Sequence, residues 1–156
     1  MNRFFNLLAV LFVAPEFLVG LICLGTFYYF EYFFEWIGKS IRADAEVWKY
    51  LPALPLVFST AAFNFSSKIR APLENLSNKI LYEWNFYQLL VDRVYVGFFY
   101  AIFAGFTAVS LWFFGQSLSY SKVGVIFIFS VISSGVTALT MLMAQQKLRE
   151  LIEKYS

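Results

Sequence analysis

Residues 72–115, PLENLSNKILYEWNFYQLLVDRVYVGFFYAIFAGFTAVSLWFFG, decide the fold. In the first half, Leu73, Leu76, Ile80, Trp84, Tyr87, Val91 and Val94 recur at three- and four-residue steps, the spacing of one helix face. Glu74, Asn75, Asn78, Lys79, Glu83, Asn85 and Asp92 fill the other face. From Val94 to Gly115 there is no charge for 22 residues, about 33 Å of helix and enough to cross a hydrocarbon core. No proline and no glycine pair divides the halves. The pattern predicts one helix, amphipathic outside a membrane over 72–93 and apolar within it.

The rest of the chain agrees with a membrane protein. Apolar residues make up 60% and charged ones 14%, where globular domains have about 45–50% and about 25%. The mean hydropathy is +0.66, and the apolar residues fall in long blocks, which spanning segments require. Net charge is +2 with acids and bases interspersed, so no nucleic-acid footprint is expected. The chain has no His and one Cys, Cys23, which rules out an intrachain disulfide and gives no metal or cofactor motif. Lack of His also removes the commonest general base, and no nucleotide, hydrolase or zinc-protease motif occurs. No catalysis, cofactor or metal is expected.

The apolar blocks place four transmembrane helices near residues 4–34, 50–66, 94–115 and 123–144, with a tail over 145–156, all in one membrane domain. The first block is interrupted by Pro15-Glu16. Arg3, a short apolar core and Ala14 resemble a secretory leader, but Pro15 would follow the cut. Two uncleaved geometries stand. A span kinked at Pro15 would leave Glu16 near mid-membrane, whereas a surface helix over 3–13 would put Glu16 in the first turn of a span starting at Pro15. Residues 26–36 hold eight aromatics in eleven positions, the composition of a membrane–water belt. Residues 38–49 form the polar loop on that side.

Polar residues inside spans mark candidate sites. Glu16, then Thr60 and Asn64 on one face of the second span, and Ser130, Ser133, Ser134, Thr137 and Thr140 in the fourth are candidates for a pore or polar interface. Hydroxyls can equally bond their own helical carbonyls. Gly97, Ala101 and Gly105 in the third span recur every four residues and suit close helix packing. Leu73, Leu76, Ile80, Trp84, Tyr87 and Val91 are the candidate face for assembly or for a soluble cytoplasmic partner.

With four spans the termini share a side. Arg3, Lys68, Arg70, Lys79, Arg93, Lys147, Arg149 and Lys154 then lie on that side, against Lys39, Arg42, Lys49 and Lys122 on the other. This bias predicts cytoplasmic termini. The Pro15 interruption, the basic turn Lys68–Arg70 and the hydroxyl-rich fourth span resemble, at the level of topology, the small Rex-type phage-exclusion membrane proteins. That resemblance implies an ion-conducting or membrane-depolarising effector of antiviral defence in a bacterial inner membrane. The expected partners are the lipid bilayer and further copies of the chain. The alternative is a non-conducting accessory or sensor subunit that docks a soluble partner through its cytoplasmic helix.

Overall fold

The computed structural model describes residues 3–70, 82, 84 and 86–155. Every described element is helical: α1 (Arg3–Val13), α2 (Pro15–Tyr29), α3 (Glu31–Ala43), α4 (Ala45–Tyr50), α5 (Ala53–Arg70), α6 (Tyr87–Phe114), a 3-10 turn (Gly115–Ser117) and α7 (Tyr120–Tyr155). Two stretches, Tyr87–Ser117 and Tyr120–Ile152, are long and apolar enough to cross a membrane. The pair Leu7–Val13 and Pro15–Tyr29, bent by 47°, qualifies as a third if it is one span. α5 falls short by composition: its 18 residues include Thr60, Asn64, Ser66, Ser67 and Lys68. It nevertheless packs along both α6 and α7.

Two boundaries differ from the sequence pattern. The expected unbroken helix over 72–115 is interrupted, because Trp84 lies in a bend, Phe86 in a turn, and α6 starts only at Tyr87. The run YEWNFY over 82–87 explains this, since aromatic residues and Asn are weak helix formers. Leu73, Leu76 and Ile80 of the candidate assembly face lie outside the described residues. Of that face, Tyr87 packs at the end of the core formed by Ile69, Val94, Met141, Leu148 and Ile152, Val91 is buried, and Trp84 is exposed. The aromatic belt is also broken, at Phe30 (φ −128°), so that α3 is a helix separate from α2.

α3 lies against α7 at backbone contact, and two glycines make this possible. A Cβ at Gly38 would run into the Tyr120 carbonyl, and one at Gly124 into the Phe34 carbonyl. Arg42, one turn beyond Gly38, reaches across to donate to the carbonyls of Gly115 and Leu118. Those acceptors lie just past the end of α6, where the helix dipole favours a cation; the Gly115 carbonyl also accepts from the Leu118 amide at 3.2 Å. The polar loop thus ties α3 to the α6–α7 turn. Asp44 starts α4 by accepting from the amides of Glu46 and Val47 at 2.8 and 3.2 Å.

The small residues of α6 are used inside the protomer. Ala101 meets Ala62 of α5 and Ala138 of α7, where three helix axes converge. Ser59 donates to the Ala101 carbonyl at 2.9 Å. Gly105 faces Leu56 and Ser59, and Gly97 leaves room for the tip of Met141. Close approach of this kind replaces the hydrophobic drive that lipid surroundings remove.

Candidate functional site

The site forms where α2 begins. Pro15 has no N–H, so the Leu11 carbonyl loses its usual helical donor one turn later. The Tyr100 hydroxyl of α6 supplies one at 3.1 Å. Ala14, Val96 and Tyr100 pack there with Leu7, Val10, Leu11 and Phe17 around them. The bend is therefore held from outside, and it turns Glu16, in the first turn of α2, into the bundle.

Glu16 is fully buried, at 0% exposure. Its Oε1 accepts from Arg93 Nη2 of α6 at 2.8 Å and from Thr137 Oγ1 of α7 at 3.0 Å. The same Arg93 nitrogen donates to Thr140 Oγ1 at 3.1 Å. Three helices thus meet on one carboxylate. The helix start adds a positive dipole end, which favours a carboxylate in the first turn. Glu16 has features of both geometries left open by the sequence: it follows Pro15 at a helix start and is buried beside a kink.

The cluster is not fully satisfied. Among the described residues, the buried atoms Glu16 Oε2, Arg93 Nη1 and Ser133 Oγ have no hydrogen-bond partner. Thr137 has acceptors at two places, Glu16 Oε1 at 3.0 Å and its own Ser133 carbonyl at 2.9 Å, but only one proton. It serves one fully or both poorly. A buried polar group without a partner is costly, so a partly satisfied network of this kind calls for an explanation.

From Glu16 the hydroxyl row continues along α7. Ser130, Ser133, Ser134 and Thr137 are all fully buried. Ser130 donates to the Ile126 carbonyl at 2.7 Å and lies 2.9 Å from Thr107 Oγ1 of α6. Ser134 donates to the Ser130 carbonyl at 2.7 Å. From Ser130 to Thr140 this polar track is about 15 Å long. Beyond Ser130 it gives way to an apolar cluster, hereafter the plug, of Ile41, Leu51, Leu111 and Val123, with Trp48, Ile126 and Phe127 packed against it. On the far side of the plug Ser121 donates to Glu31 Oε1 at 3.1 Å. A polar pocket of about 360 Å³ opens there between Glu31, Glu35, Arg42 and Ser119–Ser121. At its edge Lys39 pairs with Glu35 at 2.7 Å, and that hydrogen bond raises the lysine pKa above its ordinary value.

The polar residues singled out in the sequence thus fall into two sets. Glu16, Ser130, Ser133, Ser134, Thr137 and Thr140 converge inside one protomer. Thr60 and Asn64 point outward from α5 and meet none of them. Thr60 bonds its own Leu56 carbonyl at 2.8 Å. Sequence reasoning missed Arg93 and Tyr100. A usable signal for Arg93 existed: it is the basic residue next to the uncharged run that starts at Val94, and an acid buried in a span needs a base at matching depth. Tyr100 had none, since one more aromatic in an aromatic-rich span is unremarked. Metal-ligand groupings of three or more acids or cysteines are absent among the described residues. Comparison with protein-family models, with curated proteins and with solved structures finds no match.

Proposed function

We propose that this chain is a small self-associating inner-membrane protein that passes ions, held closed in the arrangement described above. In this reading α5 crosses beside α6 and α7 as a fourth span, both termini are cytoplasmic, and the protein carries out no catalysis. The observation that carries the reading is the buried Glu16–Arg93 pair, continuous with the hydroxyl row of α7 and left with unpartnered polar atoms. Intramembrane ionisable groups are expensive and typically line ion or proton paths. The polar track covers one half of the membrane depth, and the Ile41–Leu51–Leu111–Val123 plug would block the other half by excluding water. Opening requires the plug to part. An effector that depolarises the membrane, as the Rex-type resemblance implies, needs such a default-closed state.

The test is ion and proton flux in liposomes carrying the purified full-length chain. Leu111→Ala and Val123→Ala thin the plug and are expected to raise flux. Glu16→Gln is expected to change proton flux relative to potassium flux. Vesicles that stay tight with every variant, each inserted and helical, refute conduction.

A second reading has its own observation. Tyr82, Trp84, Phe86 and Leu89 are exposed where α6 begins. Trp84, Phe86 and Leu89 border an apolar groove of about 500 Å³ formed with Ala9, Val10 and Val13 of α1. A non-conducting accessory subunit would dock a soluble cytoplasmic partner there. Recovery of one defined partner that is lost on Trp84→Asp, with tight vesicles, would favour this reading.

A further inference from the structure

α5 has two faces of opposite character. Pro55, Ala62, Ser66 and Ile69 are buried against α6 and α7. On the opposite side Ala53, Val57, Thr60, Asn64 and Ser67 form an exposed stripe at three- and four-residue steps. Its depth follows from its contacts. Ser59 bonds the Ala101 carbonyl, and Phe63 meets Phe98 at 5.1 Å, so Thr60 lies level with the middle of α6 (Tyr87–Phe114) and Asn64 about one turn nearer its start, just inside the charge-free run that begins at Val94.

The hydroxyls on the stripe are spent locally, Thr60 on the Leu56 carbonyl and Ser67 on the Asn64 carbonyl, each at 2.8 Å. The Asn64 amide is different. It is exposed and has no partner among the described residues. It has two N–H donors and a carbonyl acceptor. At this depth lipid tails can bond neither.

We infer that the outer face of α5 is the contact between two copies of this chain, with Asn64 of each copy bonded to Asn64 of the other. The chemistry selects this occupant. A carboxamide is its own complement, so a two-fold axis along the membrane normal sets two parallel α5 helices side by side and lets each amide donate to the other. A two-fold contact closes on itself and needs one self-complementary patch. Ala53, Val57 and Thr60 are small or short enough for the backbones to approach, and one polar residue in an apolar seam fixes register. This contact is separate from the Glu16–Arg93 centre and from the groove at Trp84. It rests on the proposed placement of α5 in the membrane and does not depend on conduction.

The experiment uses the full-length chain in lipid vesicles, in a Cys23→Ala background, with single cysteines introduced by Val57→Cys, Thr60→Cys, Asn64→Cys and, on the outer face of α6, Ile102→Cys. Mild oxidation is expected to cross-link copies at 57, 60 and 64 and to leave 102 monomeric. Energy transfer between labelled copies at increasing lipid dilution gives the association constant, which Asn64→Leu is expected to lower by about ten-fold, two cross-helix bonds at the measured scale. Unchanged helicity and insertion of Asn64→Leu exclude misfolding as the cause. Cross-linking at 102 equal to that at 64, or an Asn64→Leu chain that associates like wild type, overturns the inference. Rapid labelling of Asn64→Cys by a membrane-impermeant maleimide in intact vesicles also overturns it, and with it the four-span placement; tight vesicles with intact cross-linking at 64 would count against conduction alone.

Discussion

The Glu16–Arg93 pair offers the sharpest energetic test. Replacing Glu16 by Ala leaves the Arg93 guanidinium, one quarter exposed, without its counter-charge. It also leaves Thr137 with only the Ser133 carbonyl to serve. Removing one member of a buried pair costs about 3–5 kcal/mol, because the remaining charge stays desolvated and unpaired. Arg93→Ala is expected to cost a comparable amount, since the carboxylate it abandons is fully buried. The double replacement strands no charge and should cost much less than the sum. Its coupling energy should reach about 3 kcal/mol, reduced somewhat because Arg93 retains some solvent access. Reversible unfolding in mixed detergent and SDS micelles, followed by far-UV circular dichroism, measures all corners of this cycle. A coupling below about 0.5 kcal/mol, the scale of exposed ion pairs, would refute a buried pair joining α2, α6 and α7. The measurement is independent of ion flux, so it tests the geometry even if conduction is absent.

Three further outcomes follow from the packing. Gly124→Val should destabilise the fold by about 1–3 kcal/mol or more, because the new side chain meets the Phe34 backbone, which cannot swing aside. Gly25→Ala, with nothing within 4 Å, should instead be neutral or stabilise by up to about 1 kcal/mol through helix propensity; thermal unfolding separates the two, and equal effects would contradict the α3–α7 contact. Tyr100→Phe should cost about 1 kcal/mol by leaving the Leu11 carbonyl unbonded, and should cost less in a Pro15→Ala background, where residue 15 regains its N–H. Arg42→Leu should loosen the α6–α7 turn by about 1–3 kcal/mol, with Arg42→Lys restoring only part because an ammonium lacks the fork that reaches both Gly115 and Leu118; protease sensitivity at residues 115–119 reads the difference.

The sequence by itself determined the helical membrane class, the hydroxyl face of α7 and the small-residue face of α6. Composition and the 3.6-residue period report which residues share a helix face, and both are local properties. It also marked Glu16 and Pro15 as the irregular point in the first block. It misjudged continuity at Trp84–Phe86, where a bend and a turn precede α6 although the apolar spacing runs on through them. It read α5 as an equal of the other spans; among the described residues α6 and α7, and the bent α1–α2 pair if it is one span, have the length and apolarity that crossing a membrane requires.

Only the tertiary structure decided which face meets which. Glu16 finds Arg93 across 77 residues and Thr137 across 121, and Tyr100 finds the Leu11 carbonyl across 89. No period in the chain encodes those distances. They depend on helix depth, rotation and the angle of the kink, and these are set jointly by backbone contacts such as Gly38–Tyr120 and Gly124–Phe34. The same rotation turned the α7 hydroxyls inward and left Asn64 facing out. A helix face is a property of its own residues, but its partner is fixed by the packing of the whole bundle.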